Sequence, residues 1–255
     1  MRVLLVEDHT QLARPIAREL EHEHGHVVVS VRDPLEAEEE LASSEFDVAV
    51  IDLLYEHLTY EFDTSRRAGN ITLTGHAKLL VTGLYAARAF RRQRPDGGIV
   101  LWTSGEANRR LHLLFAYEDI DVRAFCSKSS GTGRADLLNE TITAANNVVT
   151  KIDPVLNSYL PVAGSTHVSR LLLRDERHRA IWRAVALGYH TRDDIASVTG
   201  YASRTVGNTL PDMLHNLTIM DAGMRTSRRP INQLVSYASR NWEFFLDESV
   251  RISYP

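Results

Sequence analysis

Arg2-Val3-Leu4-Leu5-Val6-Glu7-Asp8 decides the fold of this 255-residue chain: five residues suited to a buried strand run straight into two carboxylates. Such near-continuous apolar runs mark strands covered on both faces. Four more follow at Val27–Val31, Asp47–Ile51, Ile99–Trp102 and Val122–Cys126. Between the first two, Leu12, Ile16 and Leu20 repeat at helical spacing, and Gly25 is the expected C-cap. Further helical segments start at Pro34 and cover Leu79–Arg94, Ala107–Tyr117 and Ala135–Thr150. Five strands alternating with five helices predict an α/β domain: a five-stranded, doubly wound parallel sheet with right-handed crossovers.

Chemistry in such sheets gathers at the carboxyl ends of the strands. Strand one ends in Glu7-Asp8, strand three in Asp52 and strand four in Thr103-Ser104; Lys128 follows strand five. Three carboxylates so close together call for a cation among them, and a hard dication such as Mg²⁺ suits an all-oxygen set. Asp52 then has the makings of a nucleophile toward a phosphoryl group, with Lys128 neutralising the transferring oxygens and the Thr103 hydroxyl reporting the product.

These segments resemble the receiver domain of bacterial two-component response regulators over about residues 1–150, which implies a flavodoxin-like fold. The resemblance implies Glu7 and Asp8 as the Mg²⁺-binding acidic pair, Asp52 as phospho-acceptor and further metal ligand, and the backbone carbonyl of Leu54 as another. It also implies Thr103 as switch hydroxyl, Phe125 as switch aromatic and Lys128 as the phosphoryl-contacting lysine. Lys128 is one of only three lysines against 26 arginines. The chain departs from the family where Tyr55 and Ser129 replace prolines. The glycine expected about eight residues after the acceptor is Gly83, 31 residues on. Residues 55–81 are accordingly read as an insertion, with Gly69-Asn70 and Ile71–Thr74 suggesting a hairpin lid.

Residues 151–168, with Pro154, Pro161 and Gly164, read as a linker. Residues 169–255 form the second module, all-α, with a C-terminal extension. In Arg192–Leu210 the spacing of Ala196, Gly200 and Val206 fits a helix-turn-helix: a small residue at a close crossing, a turn residue tolerant of positive φ and an apolar anchor. Ile195 and Leu210 add core contacts. The second helix is expected to present Ser203, Arg204, Thr205, Gly207 and Asn208 to DNA bases. Ala186-Leu187-Gly188 and this segment resemble the LuxR/NarL/FixJ output class. Pro211 is expected to kink or end the helix. A winged helix, with Leu217–Met220 and the Ala222–Arg229 segment as wing and basic loop, is the competing reading, and Ile231–Asp247 is expected to be one helix.

The net charge of −4 splits into 16 basic and 23 acidic residues over 1–150, and 13 and 10 over 151–255. An acidic front and a mildly basic back point to modules with different partners. The lone cysteine, Cys126, excludes an internal disulfide and multi-cysteine zinc sites; no apolar run spans a bilayer, and the N-terminus has no secretory pattern. The expectation is a cytoplasmic, non-enzymatic transcription regulator that binds double-stranded DNA as a homodimer and takes its phosphoryl group from a sensor histidine kinase. The alternatives are an unphosphorylated receiver controlled by a ligand or protein partner, and a Mg²⁺-dependent phosphotransfer enzyme. In Glu21-His22-Glu23-His24-Gly25-His26 the alternating histidines cannot all face one ion, so this stretch is read as a polar helix end.

Overall fold

The computed structural model describes residues 1–55, 80–104, 109–128, 134–160, 167–221 and 230–251. They form two compact units: residues 1–55 with 81–160, and Leu80 with 167–251. Most of the 55–81 insertion, where a hairpin lid was expected at 69–74, lies outside the described residues. So do the basic stretch 225–229 and the loop 129–133.

The first unit is built on strands β1 (Arg2–Val6), β2 (Val27–Val31), β3 (Val48–Ile51), β4 (Gly98–Thr103), β5 (Ala124–Ser127) and β6 (Lys151–Ile152). They pair in the order β2-β1-β3-β4-β5-β6, and every pairing is parallel. The first five follow the flavodoxin-like order, which places the switch point between β1 and β3. The sixth strand is a correction to the five expected. Lys151 and Ile152, read as linker, register with Ala124 and Phe125, and a 3₁₀ turn at Pro154–Tyr159 follows, capped by Asp153.

Helices α1 (Thr10–His22), α2 (Pro34–Ser43), α3 (Gly83–Gln93), α4 (Arg110–Asp119) and α5 (Arg134–Asn146) flank the sheet. Strand alternation sorts the core into two layers. Val3, Leu5, Val48, Val50, Val100, Trp102 and Cys126 pack with Ala13, Ile16 and Leu20 of α1 and Leu138 and Ile142 of α5. Leu4, Val6, Ala49, Ile51 and Leu101 are equally buried and face the other side, where α2 and α3 pack. Local chemistry sets the helix starts: Asp33 Oδ1 accepts from the N–H groups of Leu35 and Glu36 ahead of α2, with Pro34 in the first helical position. After α1, Gly25 at φ 67° donates its N–H to the Glu21 carbonyl, the expected glycine cap.

The second unit holds α6 (Val168–Leu171), α7 (Glu176–Ala186), α8 (Arg192–Thr199), α9 (Ser203–Met220), α10 (Pro230–Arg240), α11 (Trp242–Leu246) and α12 (Glu248–Arg251). The helix expected over Ile231–Asp247 is thus broken at Asn241. Contrary to expectation, α9 runs unbroken through Pro211 to Met220. Pro211 is exposed, so the carbonyl that loses its donor can turn to water. Leu217–Met220 are therefore helical and no wing. Trp182 of α7 stacks on Phe245 of α11 with ring centroids 4.4 Å apart, which fixes the C-terminal extension onto this unit. Leu80 bridges to Asp247, and the Glu248 N–H donates to the Leu80 carbonyl at 3.0 Å. No described helix is long and apolar enough to cross a membrane.

Candidate functional site

Parallel pairing brings the carboxyl ends of β1, β3, β4 and β5 side by side. The Asp52 N–H donates to the Val6 carbonyl and the Lys128 N–H to the Thr103 carbonyl, so each polar residue emerges beside its neighbour. Lys128 Nζ sits between two carboxylates, 2.6 Å from Glu7 Oε2 and 2.7 Å from Asp52 Oδ2. Its ammonium also lies 5.3 Å from the ring centroid of buried Trp102. Glu7, Asp52 and Thr103 are all buried. Burial is the main force raising the Asp52 carboxyl, to about 6; the Glu7 charge adds to it, and Lys128 and the Leu53 N–H oppose it.

Asp8 completes the acidic pair, and His9, which sequence reasoning missed, tops it: its Nδ1 lies 3.0 Å from Asp8 Oδ1 and 3.3 Å from Glu7 Oε1. The signal was a histidine directly after the acids. Glu7, Asp8 and His9 offer ligand atoms within 4.8 Å of one another. Three carboxylates against one ammonium leave net negative charge, and carboxylate oxygens suit a hard dication, so the residues present fit Mg²⁺.

The loop after β3 is shaped by two residues. Tyr55 is buried and donates its hydroxyl to the Asp52 carbonyl at 2.8 Å. In the sequence Tyr55 stands out only as a departure from proline; its bond to the Asp52 backbone comes from the fold. Gly83 donates its N–H to the Leu53 carbonyl at 2.9 Å, so both ends of the long insertion meet beside Asp52. A Cβ at Gly83 would stand 2.0 Å from the Asp52 carbonyl oxygen, which explains why the expected glycine recurs 31 residues on. Half-buried Leu54 lies in this loop. The Thr103 hydroxyl donates weakly to the Ser104 carbonyl at 3.4 Å. Phe125 is set apart from this cluster: fully buried on β5, its ring centroid lies 6.3 Å from that of Tyr117 on α4.

In the second unit, α8 and α9 form the expected helix-turn-helix. Gly200 adopts φ 74° and donates its N–H to the Ala196 carbonyl, while Ile195, Val206 and Leu210 are buried beneath the crossing. Of the five residues expected to face DNA, Arg204 and Asn208 are exposed. The Ser203 hydroxyl donates to Asp193 Oδ1 at 2.6 Å, and Thr205 is half-buried. Half-buried Gly207 is overlaid by the Arg192 side chain, whose Cδ would lie 3.0 Å from a Cβ there.

No protein-family model matches the chain, and no curated protein matches it. Solved structures do. RcsB from Salmonella enterica serovar Typhimurium, bound to promoter rprA with phosphomimetic BeF3⁻, is 18% identical, covers 92% of this chain and 98% of its own, and has a TM-score of 0.48. A LuxR-family two-component response regulator from Aurantimonas sp. SI85-9A1 is 23% identical over 62% of this chain and 93% of its own, with a TM-score of 0.45. Response regulator TrrA from Thermotoga maritima, in complex with Mg²⁺-BeF, is 18% identical over 56% and 97%, with a TM-score of 0.39. With TM-scores below 0.5, the functional reading rests on the residues of this chain.

Proposed function

We propose that the chain is a DNA-binding transcription regulator whose first unit receives a phosphoryl group on Asp52. The observation that carries this reading is the placement of Lys128 Nζ between Glu7 and Asp52 at the strand ends, 2.6 and 2.7 Å away. An Asp52 carboxylate oxygen attacks the phosphorus of a phosphodonor such as a sensor kinase's phosphohistidine; the acyl-phosphate P–O bond forms as the donor's bond to phosphorus breaks, and the donor leaves with that electron pair. Lys128 transfers its ion pair from the carboxylate to the phosphoryl oxygens, and the Thr103 hydroxyl exchanges its weak bond to Ser104 for one of them. Glu7, Asp8, Asp52 and the Leu54 carbonyl would hold Mg²⁺, which when bound supplies further neutralisation of phosphoryl charge. Phe125, packed with Tyr117, is the aromatic whose repacking would carry the change outward.

In the second unit, α9 is the recognition helix, with Arg204 and Asn208 as the base-reading residues. Paired half-sites read by a homodimer match helix-turn-helix geometry. The proposed setting is the cytoplasm, and the chain is no enzyme in its own right. Binding selection from random duplex DNA, with and without a small phosphodonor and Mg²⁺, tests the assignment. A recovered sequence motif that Arg204→Ala relaxes supports it; sequence-independent retention overturns it.

One observation favours a second reading, a receiver controlled by a ligand or protein partner. Both Asp52 carboxylate oxygens are engaged, Oδ1 by the Leu53 N–H at 2.7 Å and Oδ2 by Lys128, within a loop closed by Tyr55. In this reading Asp52 is a fixed structural partner of Lys128.

A further inference from the structure

The histidine-rich end of α1 acquires in the fold a partner that the sequence conceals. Asp136, in the first turn of α5, stands with its Oδ1 3.3 Å from His24 Nε2. His24 Nε2 is shut off from solvent and makes no hydrogen bond. Glu23 adds a second carboxylate, and ligand atoms of Glu23, His24 and Asp136 all lie within 4.8 Å of one another. No basic side chain forms an ion pair with Glu23, and Asp136 pairs with His24 alone, among the described residues.

His26 points the same way. It is 8% exposed, and its Nε2 meets Asn139 Oδ1, one turn beyond Asp136, at 2.7 Å. A carbonyl oxygen accepts, so the ring proton sits on Nε2, and Nδ1 keeps a lone pair that has no hydrogen-bond partner. The His24 and His26 ring centroids are 6.4 Å apart. His24 Nε2, without a hydrogen bond, thus lies beside two carboxylates, and a second imidazole stands next to it.

We propose that Glu23, His24 and Asp136 bind a borderline dication, Zn²⁺, with His26 as the adjacent imidazole. A tetrahedral zinc ion with bonds of about 2.0–2.1 Å holds its ligand atoms about 3.3–3.5 Å apart. The His24–Asp136 separation already has that length. One imidazole nitrogen and two carboxylate oxygens form a mixed donor set that suits zinc. The histidines do not converge on one ion, as their alternation dictates. One of them instead joins a carboxylate from a helix more than 100 residues away, and the ion would clamp the α1–β2 turn to α5.

The test is calorimetric titration of Zn²⁺ into EDTA-stripped, full-length protein carrying Asp8→Asn, with Mg²⁺ in excess, so that the pocket at the strand ends does not contribute. One equivalent is expected to bind, and His24→Gln and Asp136→Asn are each expected to weaken it by about tenfold or more. Glu23→Gln replaces either variant if circular dichroism shows it unfolded. Substituted Co²⁺ is expected to give the visible absorption of a four-coordinate site, lost in the same variants. Absence of zinc binding, or binding undiminished in the folded variants, overturns the proposal.

Discussion

Gly83 lies against the backbone of Asp52: a methyl group at this position would stand 2.0 Å from the Asp52 carbonyl oxygen. The contact closes the loop around Asp52 and begins α3, whose first free N–H is taken by Thr82. A distance that short is relieved only by moving backbone. Gly83→Ala is therefore expected to destabilise the first unit by about 1–3 kcal/mol. Urea unfolding of the full chain, followed by far-ultraviolet dichroism, measures the shift. An unchanged midpoint would show that the loop has slack the structure does not display.

Cys126 is expected to be chemically silent in the native protein. It is buried in β5, and burial, with a contribution from the Asp153 charge, pushes its thiol up to about 12. At pH 8 almost no thiolate is present and none is accessible. An aromatic disulfide reagent should label the chain only after denaturant is added. Rapid stoichiometric labelling of the folded protein would contradict the burial of β5.

Asp175 gives the second unit a defined acid sensitivity. Burial alone would raise its carboxyl, but bonds from the His178 ring and backbone N–H, with the Arg177 charge, hold it below its usual 3.8. The folded state thus binds its proton at lower pH than the unfolded chain. The stabilisation is complete above the unfolded value and is lost as pH falls through the folded one. Asp175→Ala also removes the N-cap of α7, at a cost of about 1 kcal/mol. Thermal unfolding at neutral pH and near pH 3 should show the variant's deficit shrinking in acid; a deficit independent of pH would contradict this pairing.

Much of the receiver-like unit was legible because its strands are short runs of Val, Ile and Leu whose ends carry the polar residues. β1 and β2 fall where the apolar runs predict, and Glu7, Asp52, Thr103 and Lys128 follow from the ends of their strands. β6 was hidden because two residues carry no periodicity, and only pairing with Ala124 and Phe125 makes Lys151–Ile152 a strand. The continuity of α9 was concealed by Pro211, whose helix-breaking tendency depends on whether its face is exposed. The Arg192 side chain above Gly207 comes from the neighbouring helix, and nothing local to Gly207 reveals it. The pairing of Leu80 with Asp247 joins positions far apart in the chain, and the same is true of His24 with Asp136. Contacts of this kind leave no local pattern.

The central claim is covalent chemistry at Asp52, and intact-protein mass spectrometry addresses it directly. Full-length protein incubated with Mg²⁺ and a small phosphodonor is predicted to gain the mass of one phosphoryl group. The adduct should map to the peptide containing Asp52, be labile to hydroxylamine and be absent in Asp52→Asn. A chain that gains no adduct across several donors, or one whose adduct survives Asp52→Asn, would contradict the account.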